Sequence, residues 1–296
     1  MSKLPAVPYG FININKPLHL TSHDVVNRVR RKLNIKKVGH SGTLDPLASG
    51  VLVVCIGQAT RLSEYVMASR KGYRACIKLG ETTATYDAEG AVLTYSDPTA
   101  ITLADVQAQL SAFTGNIQQL PPMYSAIKMN GKKLYELARE GESVERQFRA
   151  VTIYTLTVES FENPYLTLLV ECGSGTYIRS LAHDLGQTLG VGGHLCGLVR
   201  TQSGDFHLEQ SVTLEAFMEA DDPIRYIIPP SPDSLSLPHI IVDDASIERI
   251  KNGQSIASDL SMGNQMILAF DQDHQLIAVL QANEGSLKPN KVFVSH

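Results

Sequence analysis

Between Gly50 and Gly57 the sequence runs Val-Leu-Val-Val-Cys-Ile. An unbroken apolar run of this length reads as a strand buried in the interior, so the fold has to be organised around a sheet. Residues 10–16 alternate apolar and polar as a second strand, which Pro17 ends because proline has no N–H to donate. Tyr73 to Leu79 alternates likewise. Residues 148–159 and 165–172 also read as strands, and so does Leu195 to Phe206, with Arg200 inside it. Helical spacing recurs between them. Thr21 or Ser22 can cap a helix whose buried stripe is Val25, Val26, Val29 and Leu33, with Asp24 at the positive end of its dipole. Short or medium helices are expected over Thr60–Met67, Asp97–Phe113, Lys132–Arg139 and Thr176–Leu189. Asn130-Gly131 suits a hairpin turn, and Gly141 and Gly190 suit helix ends. Glu81 to Gly90 reads as a polar, turn-rich loop. Strands and helices mix without strict βαβ alternation, which favours α+β.

Residues 229–238 hold four prolines and three serines and read as a stiff, extended linker. Beyond it come short strand-like runs, with a hairpin expected from Ile267–Phe270 and Leu276–Leu280. The expected organisation is a domain over 1–230 and a small β-rich domain over 238–296.

Charge is distributed unevenly. Residues 1–80 carry 13 Lys and Arg against 3 Asp and Glu, whereas residues 201–296 carry 5 against 14, in a chain of net charge −4. A basic segment of this size is the footprint expected for a polyanion, nucleic acid included, although a solvated basic face without a ligand has the same composition. With 43% hydrophobic and 19% charged residues, the chain is neither disordered nor collagen-like. It has no apolar run of membrane-spanning length, and Met1–Gly10 has no signal-peptide core. The four cysteines are far apart with no C-x-x-C pair, a spacing that suits neither a zinc site nor a disulfide framework. Cys55 and Cys76 read as reduced core residues, and a cytoplasmic protein is expected.

Four patches carry potential chemistry: His40 to Pro46, Lys71 to Ala75, Gly175 to Arg179, and Leu198 to Arg200. Asp45, in a glycine-rich loop before the buried strand, suits either a nucleophile or base kept ionised by a cation, or an Asx turn before Pro46. Tyr73 suits stacking on a base, proton transfer, or plain core packing. Arg179 can pair with a carboxylate or snorkel to water, Tyr177 shares that ambiguity, and His40 can act on a substrate or close a turn. Taken singly, each residue favours the plainer role.

The joint pattern resembles the bacterial TruB family of tRNA pseudouridine synthases, which act on the T-loop uridine at tRNA position 55. The matching stretches are INKPLHLTSHDVVNRVRRKLNIKKVGHSGTLDPLASGVLVVCIGQATRL, KGYRA, PPMYSAIKMNGKKLYELAREG, GTYIRSLAHDLG and LVRTQSGDF, in the family's order over residues 10 to about 207. Leu18-His19 replaces a commoner glycine and Ser41 a usual threonine, neither at a reacting group. The resemblance implies a mixed, largely antiparallel sheet with flanking helices forming a catalytic cleft, followed by a PUA-like RNA-binding domain. It implies Asp45 as the essential aspartate, which attacks the nucleoside or assists scission of its glycosidic bond. Tyr73 would stack under the uracil and help remove its C5 proton, and Arg179 would pair with the aspartate. Tyr177, Leu198 and His40 would line the substrate pocket, with Lys16 nearby. The base would be flipped out of its loop to be reached, and phosphates would lie along the basic stretch of Arg28, Arg30, Arg31, Lys36 and Lys37.

An isomerisation needs no cofactor and no metal, so neither is expected. The expected partner is the tRNA T-arm, with the protein a monomer needing no protein partner. The competing readings are a tRNA chaperone without essential catalysis, a nucleosidase, and a synthase guided by RNA within a multi-protein particle. The nucleosidase would want a second carboxylate, and none is evident in sequence near Asp45. The short linker and compact tail favour a stand-alone enzyme.

Overall fold

In a computed structural model of the chain, Val51–Ile56 fall inside a nine-residue strand whose alternate side chains leave in opposite directions. Leu52, Val54 and Ile56 enter one hydrophobic core, and Val51, Val53 and Cys55 enter a second on the other face. No polar residue interrupts the run because neither face of the strand meets water. The structure describes residues 9–125, 128, 129, 131–134, 137, 144–232, 234, 235, 237–258 and 263–293.

Along the chain the strands are β1 (Gly10–Lys16), β2 (Val38–His40), β3 (Ala48–Ile56), β4 (Lys71–Leu79), β5 (Glu81–Thr83), β6 (Val92–Tyr95), β7 (Gly115–Gln119), β8 (Lys128–Met129), β9 (Lys132–Lys133), β10 (Arg149–Glu162), β11 (Tyr165–Cys172), β12 (Gly193–Ser203), β13 (Phe206–His207) and β14 (Val212–Thr213). The tail adds β15 (His239–Ile241), β16 (Ile256–Ala257), β17 (Met266–Phe270), β18 (Leu276–Asn283) and β19 (Ser286–Val292). The helices among the described residues are α1 (Ser22–Leu33), α2 (Ser63–Ala68), α3 (Leu103–Leu110), α4 (Ile178–Thr188), α5 (Leu214–Glu219) and α6 (Asp244–Lys251). None is long and apolar enough to cross a membrane.

The larger sheet runs β14-β1-β3-β12-β4-β11-β10-β7, with β2 on β3 and β13 on β12. It is antiparallel except at β1–β14 and β3–β12, so the fold is α+β with a mixed, largely antiparallel sheet. Gly50 is required where β3 meets β12. It sits at φ +98° opposite Arg200, and a Cβ there would lie 2.3 Å from the Arg200 carbonyl oxygen. Helix α1 starts in a capping box, Thr21 accepting from the Asp24 N–H while Asp24 accepts from the Thr21 N–H. Val25, Val26 and Val29 then pack on Ile12, Ile14 and Leu52 within the first core.

Several sequence expectations are corrected. The helix expected from Asp97 begins only at Leu103, capped by Thr102, and closes with a 3-10 turn over Ser111–Phe113. Asp97 instead accepts the Thr99 N–H at 3.0 Å in a turn, because the residue before a proline avoids helical backbone. Lys132 and Lys133 are strand, paired with β8. Leu134 and Leu137 are helical and buried, and the other positions expected as helix to Arg139 lie outside the described residues. The loop expected at Glu81–Gly90 contains β5, which pairs with β6. The strand expected to run to Phe206 stops at Ser203, and β13 folds back on it.

The tail forms a five-stranded sheet, β15-β17-β18-β19-β16, carrying one helix that its β-rich pattern did not announce. It is docked on the larger sheet. Phe11, Val51, Val53, Cys55 and Leu62 share a core with Leu268, Phe270, Leu276, Val279 and Phe293. Arg61 donates to the Val292 carbonyl at 2.6 Å and lies over the Phe293 ring, while Lys291 donates to the Arg61 carbonyl and pairs with Glu64. The proline-rich segment is no free spacer, since Leu235 is buried in the shared core.

Candidate active site

The loop entering β3 is pinned from both sides. Ser22 Oγ accepts the Leu44 N–H and donates to the Leu44 carbonyl, His19 N–H donates to the Pro46 carbonyl, and Ala48 N–H donates to the Asp45 carbonyl. The loop therefore fixes Asp45 through its backbone. The Asp45 carboxylate crosses to the Arg179 Nε at 3.0 Å, an ion pair between chain segments 134 residues apart in sequence.

Arg179 is the second residue of α4, and α4 is set by close packing. A Cβ on Gly186 would lie 2.2 Å from the Gly193 nitrogen, so helix and β12 meet backbone to backbone. At the helix start, Gln119 clamps Tyr177 twice, donating to its carbonyl at 3.0 Å and accepting its N–H at 2.7 Å. The Arg179 side chain is 8% exposed. Besides Asp45 it meets Asp87 Oδ2 at 3.4 Å and the carbonyls of Thr85 and Tyr124 at 3.4 and 2.9 Å. A buried guanidinium needs such a set, because removing it from water costs more than one contact returns.

Asp87, like Gln119, is not marked by any pattern in the sequence and lies in the stretch read as a polar loop. It is buried, and its carboxylate also accepts the Glu89 N–H. The adjacent Tyr86, at φ 64°, stacks on His183 of α4 at 3.9 Å, which holds this loop over the helix. The expectation of no second acid near Asp45 is therefore corrected. Two carboxylates share one arginine, and Asp87 could not be matched to Asp45 without knowing how the β5–β6 loop folds over α4.

Burial is the largest influence on the Asp45 carboxyl and pushes it above the usual carboxylate range. Asp87 adds to that push, while Arg179 and Lys16 oppose it. The result is a partly exposed, recessed carboxylate that is a stronger base than a surface aspartate.

Tyr73, Leu198 and Arg200 come from the two strands beside this loop. Arg200, fully buried, stands opposite Tyr73 across β4 and β12, donates to the Val51 and Gly42 carbonyls at 2.7 and 3.2 Å, and lies close enough to the Tyr73 phenol to oppose the effect of its burial. Its signal in sequence was a charge inside an apolar strand. Burial pushes the Tyr73 phenol above its ordinary value, so it keeps its proton. Leu198, 9% exposed, pairs with Ala75 and Ala48 between these groups. His40 ends β2 beside β3, and burial, with Arg200 and His23, holds its imidazole below the ordinary value. The Lys16 side chain is enclosed, with its ammonium on the Pro17 and Leu20 carbonyls at 2.9 and 2.7 Å. Burial lowers Lys16 to about 8, against the pull of Asp45.

The basic residues separate into two kinds. Arg31, Lys36 and Lys37 are exposed on α1 and the turn after it. Arg30 is committed to the fold, donating to Asn27 at 2.6 Å and to the Val38 carbonyl at 3.1 Å, which ties α1 to β2. Arg28 lines a surface groove with Glu215 and Glu219 of α5.

Residues 30–178 match the model for the TruB family pseudouridylate synthase N-terminal domain. The chain belongs to the TruB family. Residues 179–235 match the tRNA pseudouridylate synthase B C-terminal domain, which covers α4, β12 and the following turns of the larger sheet rather than the five-stranded tail. A tRNA pseudouridine synthase B from Dehalococcoides mccartyi is 44% identical over 97% of both chains. One from Clostridium kluyveri is 40% identical over 96% of this chain and 99% of its own. Among solved structures, a Cbf5-Nop10-Gar1 complex contains a chain that superposes with a TM-score of 0.75 at 27% identity, covering 98% of this TruB chain and 85% of its own. An H/ACA RNP bound to a substrate RNA containing 2'-deoxyuridine gives 0.75 at 25% identity, covering 97% and 85%. The TruB chain is thus an RNA-modifying isomerase by family.

Proposed function

We infer that this pseudouridine synthase isomerises uridine to pseudouridine in the T-loop of tRNA, with Asp45 as its nucleophile. The Asp45–Arg179 pair carries the reading, because it presents a recessed carboxylate on a loop fixed by its backbone. Asp45 attacks the nucleoside, or stabilises the ribosyl cation as the N1–C1′ bond breaks. The detached uracil turns, C5 bonds to C1′ as any bond to Asp45 is released, the C5 proton leaves and N1 takes one up, so atoms balance without a co-reactant. Arg179 holds the carboxylate in its attacking position. Tyr73, whose phenol burial pushes above its ordinary value, supplies a stacking surface and a hydrogen bond, and is the group through which the C5 proton is passed on. Leu198, Tyr177 and His40 complete a pocket for a base flipped out of its loop.

Mass spectrometry of nucleosides from unmodified tRNA transcript, with a pseudouridine-specific chemical block to locate the site, tests this directly. Pseudouridine at the T-loop position without added metal or nucleotide is the expected result. Tight binding with no product would favour an RNA chaperone instead.

The exposed cations Arg31, Lys36 and Lys37 are proposed to meet RNA phosphates. Replacing all three by glutamine is expected to reduce the slope of log K against log salt by about 2, since each phosphate contact contributes roughly 0.7 to 0.9. An unchanged slope in a filter-binding titration places the RNA on another face. Arg30 is left out because its loss would free β2. In the tail, Lys291 and Lys251 are already paired, which leaves exposed Lys288 as the cation best placed to serve an RNA-binding role there.

A further inference from the structure

Cys76 and Cys196, 120 residues apart in sequence, lie on the neighbouring strands β4 and β12 with their sulfurs 2.7 Å apart. A β-bulge creates the meeting. Leu195 pairs with Ile77 and Gly197 with Cys76, so Cys196 is the extra residue between them. Gly197 has no side chain to compete for the space across from Cys76, and the Cys196 thiol fills it. The pair lies on the face of β4 that carries Arg74 and Lys78, opposite the face where Ala75 and Ile77 enter the core. Both thiols are half-buried, whereas Cys55 and Cys172 are buried. The expectation that Cys76 is a core residue is thereby corrected: the alternation of β4 turns it outward.

We propose that Cys76 and Cys196 are a reversible oxidation site, closed to a cross-strand disulfide by a low-molecular-weight disulfide or a peroxide. A disulfide bond of about 2.05 Å requires only that each sulfur move a few tenths of an ångström. With a small disulfide, the Cys76 thiolate attacks one sulfur and releases the first small thiolate. The Cys196 thiolate then attacks the Cys76 sulfur and releases the second. The protein loses two protons and two electrons, and the small disulfide is reduced to two thiols. With a peroxide, Cys76 takes one oxygen to become a sulfenic acid as the O–O bond breaks and the other leaves as water or an alcohol, and condensation with Cys196 then expels a further water. The order follows from the surroundings. Contact with Cys196, aided by Arg74, brings the Cys76 thiol down to about 7, and the same contact pushes Cys196 up. Burial pushes Cys55 up to about 12 and Cys172 up to about 11, so neither competes. The bond would staple the two strands whose other faces carry Tyr73 and Leu198.

The test is incubation of the full chain with oxidised glutathione, followed by acid quench, alkylation under denaturing conditions, intact mass and peptide mapping. The expected result is loss of two of the four alkylatable thiols, a mass lower by two hydrogens, a Cys76–Cys196 linked peptide, and recovery of all four thiols with dithiothreitol. Cys196→Ser should stop at a glutathione adduct on Cys76. Four free thiols in wild type at saturating oxidant overturn the proposal. So does a glutathione adduct without the cross-link, or a link to Cys55 or Cys172. The wild-type peptide map decides the matter even if the variant fails to fold.

Discussion

Asp45→Asn is expected to lower kcat/KM for tRNA by about four orders of magnitude or more, the scale of removing a nucleophile, while Kd changes by less than about threefold. Asparagine keeps the shape and one acceptor oxygen toward Arg179, so the loop anchored by Ser22 and His19 should stay in place. What it loses is the anion. Turnover above a few per cent of wild type would remove Asp45 from the chemistry, and a large loss of affinity would make it a binding residue. Its pH behaviour gives a second readout. In the proposed mechanism Asp45 acts ionised, so the rate is expected to fall as pH drops through its pKa. Because burial and Asp87 raise that pKa, the acid limb of kcat/KM should lie above the ordinary carboxylate range. Asp87→Asn takes away a neighbouring negative charge, so the limb should move to lower pH.

Asp87→Ala is expected to cost about 3 kcal/mol of stability, the low end for removing one partner of a buried ion pair because Arg179 keeps Asp45. Arg179 would retain Asp45 and two carbonyls, but its only other carboxylate among the described residues would be gone. The melting temperature should fall by on the order of 10 °C. Activity of the folded fraction should fall with it, because Arg179 sets the position of Asp45. A melting temperature within a degree or two of wild type would show that Asp87 is dispensable to the network. Asp87→Asn keeps the hydrogen bond to the Glu89 N–H and should lie between the two.

How much of this is legible in sequence depends on the range of the interactions. β3 and α1 are local facts: six apolar residues fill a strand with two dry faces, and Thr21 and Asp24 write the helix start in four residues. The Asp97 helix is misread because a capping signal and a turn signal lie five residues apart, and the Asp97-Pro98 turn occupies the segment before the Thr102 cap. In the site, Asp45, Tyr73, Arg179, Tyr177, Leu198 and His40 were named from motif resemblance. Asp87 and Gln119 were not, because each acts on a segment about 60 to 90 residues away through a contact that no local pattern encodes. Arg30 is expected along the basic stretch that meets phosphates, yet it reaches back to the Val38 carbonyl, since a long side chain near a helix end can serve a neighbouring strand.

The two-sided burial of β3 also sets an order of events during synthesis. Phe11, Val51, Val53, Cys55 and Leu62 leave the ribosome well before the groups that cover them, among them Leu268, Phe270, Leu276, Val279 and Phe293. Until then the nascent sheet presents a contiguous oily face to the cell. Quality control thus has a window of some two hundred codons in which to bind it, and a message truncated within the tail would yield a chain with its Asp45 loop intact and its back face bare.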